Sequence, residues 1–275
     1  MPVINTNVNA LFSQNALKTN ARALSTAMEQ LSTGSRINSA KDDAAGLAIG
    51  NIMTSNIRGL SQAVRNANDG VSMAQTAEGA MIEQTNMLQR MRELAVQASS
   101  ATYSTTQQGY LDNEFQALTV QIDNIAKQTT WNGDSILKGT GGPTTNGQYD
   151  IIVGAMGTEK ITVAIDSTTK TDLGLTGDIT SSANAALAIT NVDQALAKIS
   201  TARSKLGASI NQLTYAADNL NNVVQNTTSA RSQIMDTDYA AATTKLASSQ
   251  IISQAATAML AQANQSQQSV LALLK

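Results

Sequence analysis

The sequence predicts a mostly α protein: an elongated antiparallel helical bundle, or coiled coil, with a small β-hairpin region in its middle. Three observations carry that expectation. Toward both ends of the 275-residue chain, apolar residues recur at alternating spacings of four and three, the seam along which helices supercoil. Between residues 131 and 185 the period changes to two, amid Gly and Thr, as in strands joined by turns. Only 3% of residues are aromatic while 42% are apolar, so burial rests on Ala, Leu, Ile and Val, which suit thin helical packing.

Taken in order, the first seam runs Leu17, Ala21, Leu24, Met28, Leu31 and stops near Gly34. The second runs Ile57, Leu60, Val64, Ala67, Val71, Ala74, breaks at Glu78, and continues through Met81, Leu88, Met91, Ala95 and Ala98. At about 1.5 Å per residue it makes a rod of roughly 60 Å, against a diameter near 50 Å for a compact chain of this length, hence the elongated shape. Leu111, Phe115, Leu118, Ile122 and Ile125 write a third helix, after which Asn132-Gly133 marks a turn beside Trp131. Tyr149, Ile151 and Val153 alternate, then Ile161, Val163 and Ile165, with GAMGTE between them as the turn of a hairpin. A long helix returns through Val192, Leu196, Ile199, Leu206, Ile210, Leu213, Ala217, Leu220 and Val224, with Arg203 in its register. The last runs Ile252, Ala256, Met259, Ala263, Ser266, Val270, Leu273. The expected domains are therefore a discontinuous terminal coiled coil (1–44 with 236–275), a discontinuous helical rod (45–130 with 186–235), and the β-hairpin region of that rod (131–185).

One stretch, RINSAKDDAAGLAIG at 36–50, concentrates charge in a chain otherwise poor in it. Ser39 followed three residues later by Asp42 has the spacing of a capping box, so these two are expected to cap the helix that follows. Asp43 would favour the positive end of that helix, and Ala44, Ala45, Gly46, Ala48 and Gly50 would admit another backbone closely, at about 1 kcal/mol of helix propensity per Gly. Acid–base work by the two carboxylates would require a pocket and shifted pKa values, and a metal would require further oxygen ligands; the sequence places neither beside them. The chain has no Cys and no His, which removes thiol nucleophiles, disulfides, the commonest general base and the usual zinc ligands. No enzymatic activity, catalytic residue, cofactor or metal is expected.

A net charge of −2 without a long basic run argues against nucleic acid or an acidic membrane as partner. The chain opens on no signal-peptide pattern and holds no apolar run of membrane-span length. The protein is expected to be cytoplasmic, or exported by a route that does not read such a signal.

Several long motifs also carry a family resemblance. LSTGSRINSAKDDAAGLAI (31–49), RNANDGVSMAQTAEGAM (65–81) and LQRMRELAVQASS (88–100) resemble the amino-terminal signature of bacterial flagellins, and TSARSQIMDTDYA (228–240) and AMLAQANQSQQSVLALL (258–274) the carboxy-terminal one. The resemblance implies a structural subunit of the extracellular flagellar filament. It would polymerise with itself for motility and be secreted unfolded through the flagellar type III apparatus. It further implies an export chaperone on the C-terminal helix, and hook-associated and cap proteins as partners. The chain ends would pair into an inner coiled coil packed by Leu17, Leu24, Met28, Leu31, Ile252, Met259, Val270 and Leu273. QRMRELAVQ (89–97) matches the segment read by the Toll-like flagellin receptor of animal hosts, which implies Gln89, Arg90, Glu93 and Leu94, with Glu114 on the neighbouring helix, as recognition residues; around Leu118 recognised relatives commonly have Arg.

Physical chemistry adds one expectation of its own. Terminal helices with a single apolar stripe and many Asn, Gln, Ser and Thr cannot alone offset their ordering entropy, and should fold when neighbours supply the missing face. Two alternatives stand beside the filament subunit: a hook-filament junction protein with similar ends, and, from a different class, a surface adhesin or glycan-binding module using the β region.

Overall fold

Helices form along every expected seam, and the longest outrun the sequence reading. The computed structural model describes residues 6–141 and 147–272, with side chains to residue 266. Its elements are α1 (Val8–Thr33), α2 (Ala44–Ser99), α3 (Thr105–Gln128), β1 (Thr130–Trp131), β2 (Asp134–Ser135), β3 (Gln148–Ile152), β4 (Lys160–Ala164), α4 (Lys170–Leu173), α5 (Ser182–Met235) and α6 (Tyr239–Ala272). The chain divides into two compact units, one of Met1–Ser55 with Asn226–Lys275, the other of Asn56–Gln225. Those limits fall inside α2 and α5, whereas the sequence reading divides the chain at helix ends, 44/45 and 235/236. Caps and breaks are local signals. Packing is not, and the first turns of α2 pack against the last turns of α5, where a Cβ on Gly50 would stand 2.5 Å from Met235 Sδ.

In the second unit α2 and α5 run antiparallel. Their contacts descend together, from Gly70 beside Leu213, through Glu78 with Arg203 and Arg92 with Asp193, to Ser182 Oγ donating to the Ser99 carbonyl. The third helix returns antiparallel to α2 as well, with Gln84 at Ile122, Arg90 at Glu114 and Gln108 at the Ala98 carbonyl. It opens on a capping box, Ser104 with Gln107, that is legible as S-x-x-Q.

The buried seam of α2 is unbroken: Ala63, Ala67, Gly70, Met73 with Ala74, Ala77, Met81, Gln84, Leu88, Met91, Leu94 with Ala95, Ala98. The break expected at Glu78 is filled by Ala77, and Val71 is only half-buried on the flank. In α5 the corresponding seam takes Ala188, Ala195 and Ala202, while Leu196 and Arg203 are half-buried beside it. The correction has one cause. Where two backbones approach closely, Ala is the side chain that fits, and larger apolar residues next to it flank the seam.

Gln84 is the polar member of that seam, fully buried, with Nε2 donating to the carbonyls of Ile122 at 3.2 Å and Thr168 at 3.4 Å. It ties α2 to α3 and to the loop before α4.

The β region behaves as its alternation requires. β3 and β4 pair antiparallel in the register Tyr149↔Val163 and Ile151↔Ile161, and β4 buries Ile161 and Val163 while exposing Lys160 and Thr162. The hairpin lies on α2, where a Cβ on Gly70 would meet Ile151 at 3.0 Å and one on Gly59 the Ala155 carbonyl oxygen at 3.0 Å. Asn132 and Gly133 take φ of 52° and 90° in the tight turn joining β1 and β2, and Trp131 packs against the core.

Replacing Gln84 by Ala removes the donor to two buried carbonyls and opens a cavity. The expected cost is about 2–4 kcal/mol, seen as a lowered urea midpoint at unchanged slope.

Candidate assembly surface

In the first unit α1 and α6 run antiparallel with no drift in register. Asn7 Nδ2 donates to the Ala263 carbonyl at 3.1 Å, Asn20 Nδ2 to that of Ser249 at 2.7 Å, and the Thr237 N–H to that of Gly34 at 3.0 Å. The covered positions repeat in strict threes and fours: Ala10, Ser13, Leu17, Asn20, Leu24, Ala27, Leu31 on α1, and Ala242, Leu246, Ser249, Ser253, Ala256, Leu260, Ala263 on α6. Buried Asn20 selects this alignment, because a shifted one would leave its amide without an acceptor.

This seam differs from the one the sequence suggested. Of the eight residues expected to pack the inner core, Leu17, Leu24 and Leu31 face α6 and are half-buried. Met28, Ile252 and Met259 are exposed, at 56%, 47% and 62%, because Ala27, Ser253 and Leu260 take the facing positions. The side chain of Val270, and Leu273 altogether, lie outside the described residues. The pair therefore covers five half-buried leucines among Ala, Ser and Asn between its helices, and leaves Val8, Leu11, Phe12, Met28, Ile251, Ile252 and Met259 outside. Full burial of one such side chain stabilises by about 1.5–3 kcal/mol, so the exposed stripes hold apolar free energy that one chain leaves unspent.

The 36–50 stretch is a clasp that joins this pair to α2 and α5. Gly34, at φ 71°, ends α1 with its N–H on the Gln30 carbonyl, a left-handed conformation in which a side chain would be strained. Ser35 bridges Asp236, the Arg36 N–H donates to the Met235 carbonyl at 2.6 Å, and the Arg36 guanidinium donates to the Ile234 carbonyl through Nη2 at 2.6 Å and Nε at 3.2 Å. A cation on the last carbonyls of α5 meets both their hydrogen-bonding need and the negative end of the helix dipole. Ile37 is buried beneath it.

The expected cap is corrected here. The Asp42 carboxylate does reach back to the Ser39 N–H at 3.0 Å, but the Ser39 hydroxyl donates to that carboxylate, and the two close a turn before the helix. The helix starts one residue after Asp43, whose carboxylate accepts from the Gly46 N–H at 2.8 Å and is the true cap. Hydrogen bonds from the Ser39 hydroxyl, and from the Ser39 and Asn38 N–H groups, hold the Asp42 carboxyl below its ordinary range. It is ionised at neutral pH, as a turn-closing group needs and a proton donor does not. Among the described residues no three potential ligands gather as a metal site.

A second polar cluster lies on the outer face of the second unit. Arg90 Nε meets Glu114 Oε1 across α2 and α3 at 3.0 Å, and Nη1 meets Glu93 Oε2 at 3.0 Å. Glu114 first, then Glu93, hold the guanidinium more firmly protonated than usual. Gln89 is exposed beside them, and a shallow depression lined by Gln89, Arg92, Glu93, Val96 and Gln97 adjoins. Leu94, grouped with these four by resemblance, is 1% exposed and packs in the core, so it offers no surface to a partner.

Glycine should be sensitive where the clasp is tight. A Cβ on Gly46 would stand 2.5 Å from Asp43 Oδ2 and 2.6 Å from Ile37 Cδ1, while one on Gly79 meets nothing within 4 Å. Gly79→Ala is expected to raise the melting temperature by its helix propensity, about 1 kcal/mol. Gly46→Ala is expected to lower it despite the same gain, both read by circular dichroism.

The chain matches two family models: the bacterial flagellin N-terminal helical region over residues 4–141, and the bacterial flagellin C-terminal helical region over 189–274. It is 42% identical over 279 residues to a flagellin of Halalkalibacterium halodurans, covering 99% of this chain and all of that one. To the flagellar filament 33 kDa core protein of Treponema phagedenis it is 39% identical over 285 residues, again 99% of this chain and all of that one. The crystal structure of Bacillus cereus flagellin superposes with a TM-score of 0.50 at 31% identity, covering 57% of this chain and 88% of that one. Matched at both ends in order and aligned with such relatives over nearly its whole length, the chain belongs to the bacterial flagellin family.

Proposed function

We propose that this chain is a structural subunit that polymerises, copy on copy, into the extracellular filament of a bacterial flagellum, and works without a catalytic step. The observation that carries this is the terminal pair, whose covered seam sets half-buried leucines among Ala, Ser and Asn while Phe12 stands 77% and Ile251 66% exposed. Monomeric proteins seldom leave such stripes bare. Neighbouring copies would cover them, so ordering of the chain ends and assembly become one event.

Residues 1–44 with 236–275 then form the inner layer and 45–130 with 186–235 the wall, with 131–185 a short outer addition. Export unfolded through the type III apparatus suits ends that hold little stability of their own, and a chaperone on α6 would shield the stripe of Ile251, Ile252 and Met259 until assembly. Hook-associated and cap proteins would meet the same ends where the row of copies begins and stops. Arg90, Glu93 and Glu114, with Gln89, would be the face met by the Toll-like flagellin receptor of a host.

Negative-stain electron microscopy of the full chain, seeded with filament fragments, should give long uniform tubes, and a chain lacking 240–275 none. A full chain that stays dispersed with its terminal helices already folded would defeat the filament reading. For the receptor face, Arg90→Ala should weaken binding of the monomer about fivefold or more, as truncation of an interface anchor does. Equal binding would remove Arg90 from that contact.

A further inference from the structure

The tip of the β3–β4 hairpin carries Met156, 85% exposed, between Gly154 and Gly157. Glu159, on the same tip, is exposed and enters no ion pair among the described residues. Elsewhere on the same unit a pocket of about 380 Å³ opens between Asp166–Thr168 and α5, with Leu173 and Ala202 among its lining, 2% and 3% exposed. Lys198 stands on its rim, donating to the Asp172 carbonyl at 2.7 Å and forming no ion pair among the described residues, while Asp166 is matched by Lys205 at 2.8 Å. The chain thus bears an apolar knob with an unpaired anion, and a part-apolar hole with a cation on its rim that lies beside Asp172 without a direct ion pair.

A copy cannot fill its own hole. The tip rests on α2 at Gly59, and the pocket lies at the level of Gln84, whose amide reaches the Thr168 carbonyl. The intervening turns of α2 amount to about 37 Å.

We propose that Met156 of one copy seats in this pocket of the next, with Glu159 meeting Lys198. The contact joins two different patches, so its repetition extends a row of copies where a contact of one patch with itself would close a dimer. It rests on the filament reading, and it gives the short β region a part in holding the wall together. A pocket of this size admits a thioether side chain with room to spare, and the flexibility of Met suits a site that must fill after docking.

The chain contains no cysteine, so introduced thiols report alone. Filaments of the Met156→Cys, Ala197→Cys double variant, verified by electron microscopy and then oxidised, should give a non-reducing ladder of dimers, trimers and higher species, with each single variant giving no ladder. Verified filaments without a ladder would overturn the contact. Should the double variant not assemble, filaments of the unaltered chain serve: peroxide should oxidise Met156 about tenfold more slowly in filaments than in monomers, because burial removes its sulfur from solvent. Equal rates would also overturn it. An unaltered chain that forms no filament at all would bring down the filament reading first.

Discussion

The close antiparallel approach of long helices along heptad seams is the constraint on which the rest depends. In both units Ala recurs along the covered seams, at Ala67, Ala74, Ala77, Ala95 and Ala98 on α2, at Ala188, Ala195 and Ala202 on α5, and at Ala27 on α1 and Ala242 and Ala256 on α6, among larger apolar residues. Small residues bring the backbones near and give dispersion contact at the expense of hydrophobic area per residue. In the second unit that area is recovered elsewhere, because α3, the β region and Trp131 join Met81, Leu88 and Met91 of α2 in one buried cluster. In the first unit no third element among the described residues does so.

That asymmetry sets the two units apart. The second unit has a third helix, two hairpins and a buried polar tie through Gln84. The terminal pair has an alignment device in Asn20 and a clasp at Arg36, but Phe12, Met28, Ile251, Ile252 and Met259 face outward. Specificity of pairing and strength of pairing are therefore separated: hydrogen bonds set which residues face each other, and the strength is left to whatever covers the outer stripes.

The clasp also answers why a chain with so few charges groups several at 36–50. Three of the four ionic groups there satisfy backbone that the change of direction would otherwise strand: Arg36 the end of α5, Asp42 the turn, Asp43 the start of α2. Gly46 and Gly50 are bare because Ile37 and Met235 occupy the space of a side chain.

By itself the sequence determined the helical class, the order of the seams, the hairpin with its register face, the Asn132-Gly133 turn and the family, since periodicity, turn chemistry and motif order are written locally. It could not decide which of two adjacent stripes faces inward. Ala77 or Glu78, Ala202 or Arg203, Ser253 or Ile252 are choices made by the distance between backbones, and hydrophobicity misleads where only a small side chain fits. For the same reason Leu94 reads as one of a polar recognition set until the packing of α2 buries it, and Ser39 reads as a cap until Asp43 is seen to start the helix. Tertiary structure alone decided these, because burial belongs to pairs of elements and no window of sequence contains both.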